Sequence, residues 1–359
     1  MTDIFQYEKK RDEQMTIKPD TGKRKKEQFV ENLREGDAVN DFFAVKTKKP
    51  LRAYKRGVFF ELLASDKTGA IAIKFWGGEN KDRIRRLCES FSVGDVVQIR
   101  GGAVESYDER LQISINENTG GIRRCATNEY DISDFIPSLD EARIKELYDV
   151  VEAEIKGVTS PPLRALLTHC FANPDFVHAY THAPSAMAHH HNYVGGNLEH
   201  SIGVLRLCKN LAEMYPAVNR DMLVTGSLLH DVGKLQEYSY RASIEKTEDG
   251  NFIGHIILGV EWVRCRIQEL RESGTEFSVM LERHLLHLIA SHHGRLEWGS
   301  PIVPNLVEAC ALHSADLMDS QVKNYLQLVE DARKSTDEDW AFLFDADIGK
   351  KRPVFLGEY

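Results

Sequence analysis

The run Leu228-Leu229-His230-Asp231-Val232-Gly233-Lys234 places an imidazole and a carboxylate side by side at the end of an apolar helical stretch. Burying such an ionisable pair is costly unless something neutralises it. A divalent cation does so: imidazole suits Mn, Fe, Co, Ni or Zn, and a carboxylate can bridge two ions. Other candidate ligands stand at the ends of neighbouring helical stretches. His200 follows Gly195-Gly196-Asn197-Leu198-Glu199, His255 follows Gly254, His292 and His293 precede Gly294, and Asp316 lies among apolar residues of a long helix. Side chains from several helices can converge inside a bundle. Each is weak alone, because helix ends favour histidine for its interaction with the dipole, and a single His255 or His313 reads as a hydrogen-bonded structural residue. The joint pattern points to a metal centre.

These residues need a helical scaffold, and the sequence supplies one. From about residue 141 to 335 apolar residues recur at three and four positions, as in LEHSIGVLRLCKNLAEMY, SVMLERHLLHLIASHH and NLVEACALHSADLMDSQVKNYLQLVEDARK. All 14 histidines fall in this part, none before His169. His169, His178, His182, His284 and His287 read as surface or packing residues.

The preceding part has a different character. Runs at 38–48, 57–66, 69–76, 95–106 and 110–116 are of β type, with alternation clear in Ala70–Phe75 and Leu111–Ile115. Asp66-Lys67-Thr68-Gly69 is a hairpin turn, and NKDRIRRLCESF between the third and fourth runs is helical. Three strands, a helix and two strands is the order of a five-stranded OB-fold barrel, which commonly binds single-stranded nucleic acid. Lys46, Lys48, Lys49, Arg52, Lys55, Arg56 and Lys74, with Trp76, Tyr54, Phe42, Phe60 and Phe75, offer cations for phosphates and aromatics for bases. The competing reading is ordinary barrel core with solvated loops.

Charge follows the same division. The net charge is −9, yet residues 36–126 carry 16 Lys/Arg against 12 Asp/Glu, and residues 127–359 carry 21 against 35. A mildly basic module thus precedes an acidic one. The six cysteines are scattered singly, which argues for thiols over disulfides or a zinc knuckle. No apolar run is long enough to span a bilayer and the charged start has no signal-peptide core, so a cytoplasmic protein without a membrane partner is expected. The expected parts are a charged extension at 1–33, the barrel at 34–126, a connector at 127–144, the helical domain at 145–335 and an unassigned tail at 336–359. The extension's basic cluster Lys23–Lys26 reads as a solvated charge run, with contact to RNA the competing reading.

The order H…HD…H…HH…D resembles the HD-domain phosphohydrolase superfamily, whose minimal signature fits His200, His230, Asp231 and Asp316. His255, His292 and His293 match the extra ligands of its multi-metal members, with the choice between the adjacent pair open. Lys234 matches a lysine that contacts substrate phosphate. The wording of HHNYVGGNLEH at 190–200 and SHHGRLEWGSP at 291–301, behind an OB module, resembles the YhaM-type 3′–5′ exoribonucleases across residues 36–330. Asn197 departs from the apolar residue usual there. The resemblance implies an α+β chain in which an N-terminal OB barrel feeds single-stranded RNA, or ssDNA, to an all-α HD-domain bundle that releases nucleoside monophosphates.

Two divalent ions are implied, manganese first, with Co, Fe, Ni or Zn also suited. Such a pair, about 3.5–4 Å apart, would activate water and clamp phosphate oxygens, with Asp231 bridging and Lys234 stabilising charge on the phosphate. His190 and His191, from a histidine triplet that equally suits adventitious surface metal binding, are candidates for substrate phosphate, with Tyr193 and Arg295 beside them. The competing functions are a nucleotide or cyclic-dinucleotide phosphohydrolase and a non-catalytic nucleic-acid-binding module. A homo-oligomer is left open.

Overall fold

Strict alternation builds the first unit. In β2 (Gly57–Asp66) Val58, Phe60, Leu62 and Ala64 point inward, and in β3 (Gly69–Trp76) Ile71, Ile73 and Phe75 do the same. The computed structural model describes residues 23–108, 110–186, 192–240, 243–333, 336, 338–345 and 350–357. They fall into two compact units, one formed mainly by the chain up to Ile136 and the other by the chain from Pro137 onward.

The first unit is a barrel whose pairing is that of an OB fold. β1 (Phe42–Lys48) pairs antiparallel with β2 and with β4 (Val96–Arg100), and β2 pairs with β3. β3 then runs parallel to β6 (Arg110–Asn116), which pairs back onto β5 (Gly102–Tyr107). Helix α1 (Lys81–Glu89) lies between the third and fourth barrel strands, as the sequence pattern predicts. The fourth run is split at Gly101, which adopts φ +63° and where a Cβ would come 2.4 Å from the Thr119 carbonyl oxygen. Short strands at Ala38–Val39, Arg52–Tyr54 and Gly121–Arg124 extend the sheet beyond the five expected.

Lys26 corrects the reading of the basic cluster as solvated. Its ammonium is buried, donates to the Phe42 carbonyl at 2.6 Å, stands 3.4 Å from Asp66 Oδ2 and lies 3.7 Å from the Phe43 ring centroid. Burial lowers its pKa against the opposing pull of Asp41 and Asp66. A lysine among lysines carries no sequence signal of a buried partner, which is why the pattern missed it.

The second unit is helical: α2 (Glu141–Gly157), α3 (Pro161–Phe171), α4 (Pro174–His182), α5 (Gly196–Met214), α6 (Arg220–Leu229), α7 (His255–Glu272), α8 (Val279–Ser291) and α9 (Val307–Arg333). Local chemistry sets the starts. The Asp140 carboxylate accepts from Arg143 N at 2.7 Å to cap α2, Asn219 accepts from Met222 N to cap α6, and prolines open α3 and α4. One core, including Leu198, Leu205, Leu228, Leu229, Val263, Leu288 and Leu312, joins α5, α6, α7, α8 and α9. Two features were not anticipated: a hairpin of Tyr238–Tyr240 with Ile244–Lys246, and a second of Trp340–Asp345 with Lys350–Phe355 in the tail. No described helix is long and apolar enough to cross a membrane.

Candidate metal centre and nucleic-acid interface

Helix ends deliver the predicted ligands to one place. His230 and Asp231 follow the carboxyl end of α6, His255 opens α7, His292 and His293 close α8, and His200 and Asp316 project from α5 and α9. Gly233 permits this convergence: a Cβ there would lie 1.9 Å from the His255 carbonyl oxygen, so the turn after Asp231 packs directly on the first turn of α7.

Asp231 sits between two sets of donors. Its Oδ2 is 3.5 Å from His200 Nε2 and 3.4 Å from His230 Nε2, while its Oδ1 is 3.6 Å from both His255 Nε2 and His292 Nε2. Asp316 Oδ1 is 3.2 Å from His200 Nε2. The ligand atoms of His200, His230 and Asp231 lie within 4.8 Å of one another, and so do those of His255, His292 and His293. Both members of the adjacent pair 292–293 therefore face the site.

The rings are held from behind. His230 Nδ1 contacts the Ser227 carbonyl at 2.9 Å, His292 Nδ1 that of Ile289 at 2.7 Å, and His293 Nδ1 that of Trp298 at 2.9 Å. A carbonyl only accepts, so in each of these rings Nδ1 carries the proton and Nε2 turns a lone pair inward. Asp319 Oδ2 holds His200 Nδ1 at 2.8 Å, and Glu237 Oε2 stands 3.0 Å from His255 Nδ1, a charge contact not aligned as a hydrogen bond.

The Asp231 Oδ1, His255 Nε2 and His292 Nε2 atoms are buried without a hydrogen-bond partner. Polar atoms stranded together in a core are expensive, and three facing each other across 3.6 Å fit the donor set of a divalent cation. The electrostatics of Asp231, His255, His292 and His293 agree, whereas His200 must lose its proton before it can ligate. Burial works against ionisation of Asp231, but Lys234 and His230 hold it well below the usual carboxylate range. Burial likewise opposes a charged His200 ring, yet its bonds with Asp316 and Asp319 raise it to about 9. Burial lowers His255 and His292, and takes His293 to about 4, so these rings stay neutral.

The remaining predicted positions divide. Lys234 Nζ reaches Asp231 Oδ2 at 2.7 Å and donates to Ser185 Oγ at 3.1 Å. The Tyr193 hydroxyl donates to Glu199, which also accepts from Lys323 at 2.8 Å, so its polar end is occupied. Arg295 lies 4.6 Å over the Trp298 ring centroid. His190 and His191 lie outside the described residues. Asn197 is fully buried, with no hydrogen-bond partner for its side-chain amide. The histidines read as packing residues stay out of the ligand groups: His169 meets Glu269 at 2.8 Å, and His287 Nε2 accepts from Asn305 N. His313 holds the His292 carbonyl at 2.8 Å, a structural role.

Sequence reasoning missed the residues that position the ligands, Asp319 and Glu237, and Ser185, which accepts from Lys234. A signal existed for Asp319, which follows Asp316 at i+3 on the same helix face. Glu237 carried none, because its partner His255 lies beyond a hairpin.

On the barrel, Trp76 lies on the outer face of β3 with Tyr54 and Phe59 at ring-centroid distances of 5.0 and 5.2 Å. Lys74 Nζ is 4.4 Å from the Trp76 ring and 5.9 Å from that of Tyr107, which is well exposed. An open groove of about 730 Å³ here is lined by Tyr54, Lys55, Arg56, Trp76, Ser114 and Asn116 among others. Phe42, Phe60 and Phe75 are core instead. Lys48 is committed elsewhere, donating to the Cys88 and Phe91 carbonyls at the end of α1. Lys49 pairs with Glu61, and Lys46 and Arg52 are exposed.

Comparison with known proteins gives this geometry a family. The HD domain family model matches residues 197–321. A protein of Listeria monocytogenes described as 3′-5′ exoribonuclease YhaM is 33% identical over 291 residues, covering 80% of this chain and 86% of the relative. The chain belongs to the YhaM family. Other YhaM proteins agree: that of Shouchella clausii is 31% identical over 82% of this chain and 86% of its own length. That of Bacillus licheniformis is 28% identical over 89% and 96%. Among solved structures, a replication factor A related protein from Methanobacterium thermoautotrophicum matches 32% of this chain and 100% of its own at 18% identity. With a TM-score of 0.25 that overlay carries no weight; the OB assignment for this YhaM-family chain rests on its strand pairing.

Proposed function

We propose that this protein is a metal-dependent 3′–5′ exoribonuclease that removes nucleoside monophosphates from single-stranded RNA, and from ssDNA as a secondary substrate. The YhaM relatives and the HD domain support the activity. One observation carries the chemistry: four imidazoles, those of His200, His230, His255 and His292, each braced at Nδ1, turn Nε2 toward the two oxygens of a single buried aspartate. His200, His230, Asp231 and Asp316 would hold one divalent ion, and His255, His292, His293 and Asp231 a second, with manganese the first expectation. Such ions supply Lewis acidity toward a phosphate and make water nucleophilic at neutral pH.

The protein's own groups do the rest. Asp231 joins the two ligand sets, and the Lys234 ammonium beside it favours its ionised form and offers positive charge to a phosphate oxygen. Leu228, Leu229 and Val232 keep bulk water from behind the ligands. No side chain needs to form a covalent intermediate. In the barrel domain, placed at 34–126, Tyr54, Phe59, Trp76 and Tyr107 would stack bases while Lys55, Arg56 and Lys74 track the backbone; Lys48 is left out because its ammonium is already spent. A mononucleotide enzyme has little use for such a groove, which disfavours the small-molecule alternatives.

The deciding experiment incubates the protein with Mn²⁺ and 5′-labelled single-stranded RNA, dNTPs or cyclic dinucleotides. Stepwise shortening of the RNA is expected. Hydrolysis of the small molecules alone would remove the exonuclease assignment. Asp231→Ala, expected to lower turnover by at least about 10³-fold, controls for contaminating nuclease.

A further inference from the structure

We infer that Trp298 is a stacking platform for a nucleobase next to the scissile phosphate, with Arg295 poised for the adjoining phosphate. This rests on the exonuclease assignment and adds a base-binding subsite to the helical unit itself, separate from the barrel groove.

Three observations carry it. First, Trp298 remains 42% exposed although the unit has a continuous apolar core, so its indole is not there to fill that core. Second, it is fixed to the metal centre. Its carbonyl receives His293 Nδ1 at 2.9 Å, and His293 belongs to the ligand group with His255 and His292. The short turn Leu296–Trp298 is pinned by Trp298 N and Ser300 N, both donating to the Arg295 carbonyl, and by Gly299 N donating to Leu296. Gly294 at φ +76° and Gly299 at φ +83° bracket it. Adding a Cβ to Gly294 would bring it within 2.3 Å of the His313 ring, which itself holds the His292 carbonyl. The loop is thus pre-organised against the ligands.

Third, the Arg295 guanidinium lies 4.6 Å over the indole, and no acidic partner is present among the described residues. A cation on an aromatic face with no counter-ion is a combination suited to a nucleotide: the indole takes the flat base and the guanidinium takes phosphate in two parallel hydrogen bonds. Stacking of this kind tolerates every base, as an exonuclease that removes successive nucleotides requires.

The test uses the whole chain and an RNA trinucleotide carrying either a normal or an abasic 3′-terminal nucleotide. Trp298→Ala is expected to raise KM for the normal trinucleotide about 5- to 100-fold with kcat little changed, and Trp298→Phe by no more than about threefold. On the abasic substrate wild type and Trp298→Ala should be alike. Arg295→Ala should weaken both substrates equally. Mn²⁺ titration of Trp298→Ala should match wild type, showing His293 undisturbed.

Equal losses on the normal and abasic substrates, or none on either, would overturn the platform. A second readout does not depend on cleavage: quenching of a 3′-terminal 2-aminopurine on binding in EDTA should disappear in Trp298→Ala. Quenching without any RNA cleavage by wild type would sink the exonuclease assignment and leave the base site standing. Absence of quenching in wild type would sink the base site alone.

Discussion

Asp319 Oδ2 lies 2.8 Å from His200 Nδ1, on the side of the ring opposite Nε2, which faces Asp231 and Asp316. The contact needs room that only glycine gives, since a Cβ at Gly203 would sit 2.1 Å from Asp319 Oδ1. A carboxylate behind a ligating imidazole fixes its orientation and raises its basicity.

Asp319→Asn keeps the shape and removes the charge. It is expected to weaken Mn²⁺ binding by about 10- to 100-fold while leaving the helical circular dichroism unchanged. Calorimetric titration checks it, and an unchanged affinity would show that Asp319 serves packing alone.

Metal removal should cost stability, because the unpaired Asp231, His255 and His292 atoms have no other use in the core. At a free Mn²⁺ concentration about 100 times the dissociation constant, the holo protein should be about 2.7 kcal/mol more stable than the chelated one. Thermal melts with Mn²⁺ and with EDTA measure this. A coincident pair would mean that the ligand set does not bind the ion.

The barrel groove should matter to the binding of a long single strand. Trp76→Ala and Tyr107→Ala are each expected to weaken binding of a single-stranded 15-mer by about 1–3 kcal/mol, with turnover on a trinucleotide retained. Lys48→Ala should instead lower stability without a specific effect on binding, because its ammonium caps α1. Filter binding and melting curves separate the two outcomes.

Asp221 gives a pH signature independent of the metal. Burial opposes its ionisation, but it accepts from Thr159 N, Thr159 Oγ and Ser160 N at 2.8, 2.7 and 2.7 Å, and its pKa falls below the ordinary 3.8. A depressed folded-state value means that the stabilisation is present above the ordinary value and lost as pH falls through the folded one. Asp221→Asn should therefore destabilise by about 1–3 kcal/mol at pH 7, with the gap to wild type narrowing as pH drops below about 4. A gap constant from pH 7 to pH 3 would contradict the assignment.

Period and residue type were enough to order the barrel strands, mark the helical half and name the residues that converge on Asp231, because alternation, helical spacing and the cost of a buried His-Asp pair are local properties. Local pattern could not say that Lys26 is buried, that Lys48 caps a helix, or which aromatics face out: Phe59 and Phe60 are neighbours in sequence and differ only in which side of β2 they occupy. Nor could it pair His255 with Glu237, or His293 with the Trp298 carbonyl. Those partners meet through hairpins and turns whose geometry depends on packing across the whole unit, and only the tertiary structure decided them.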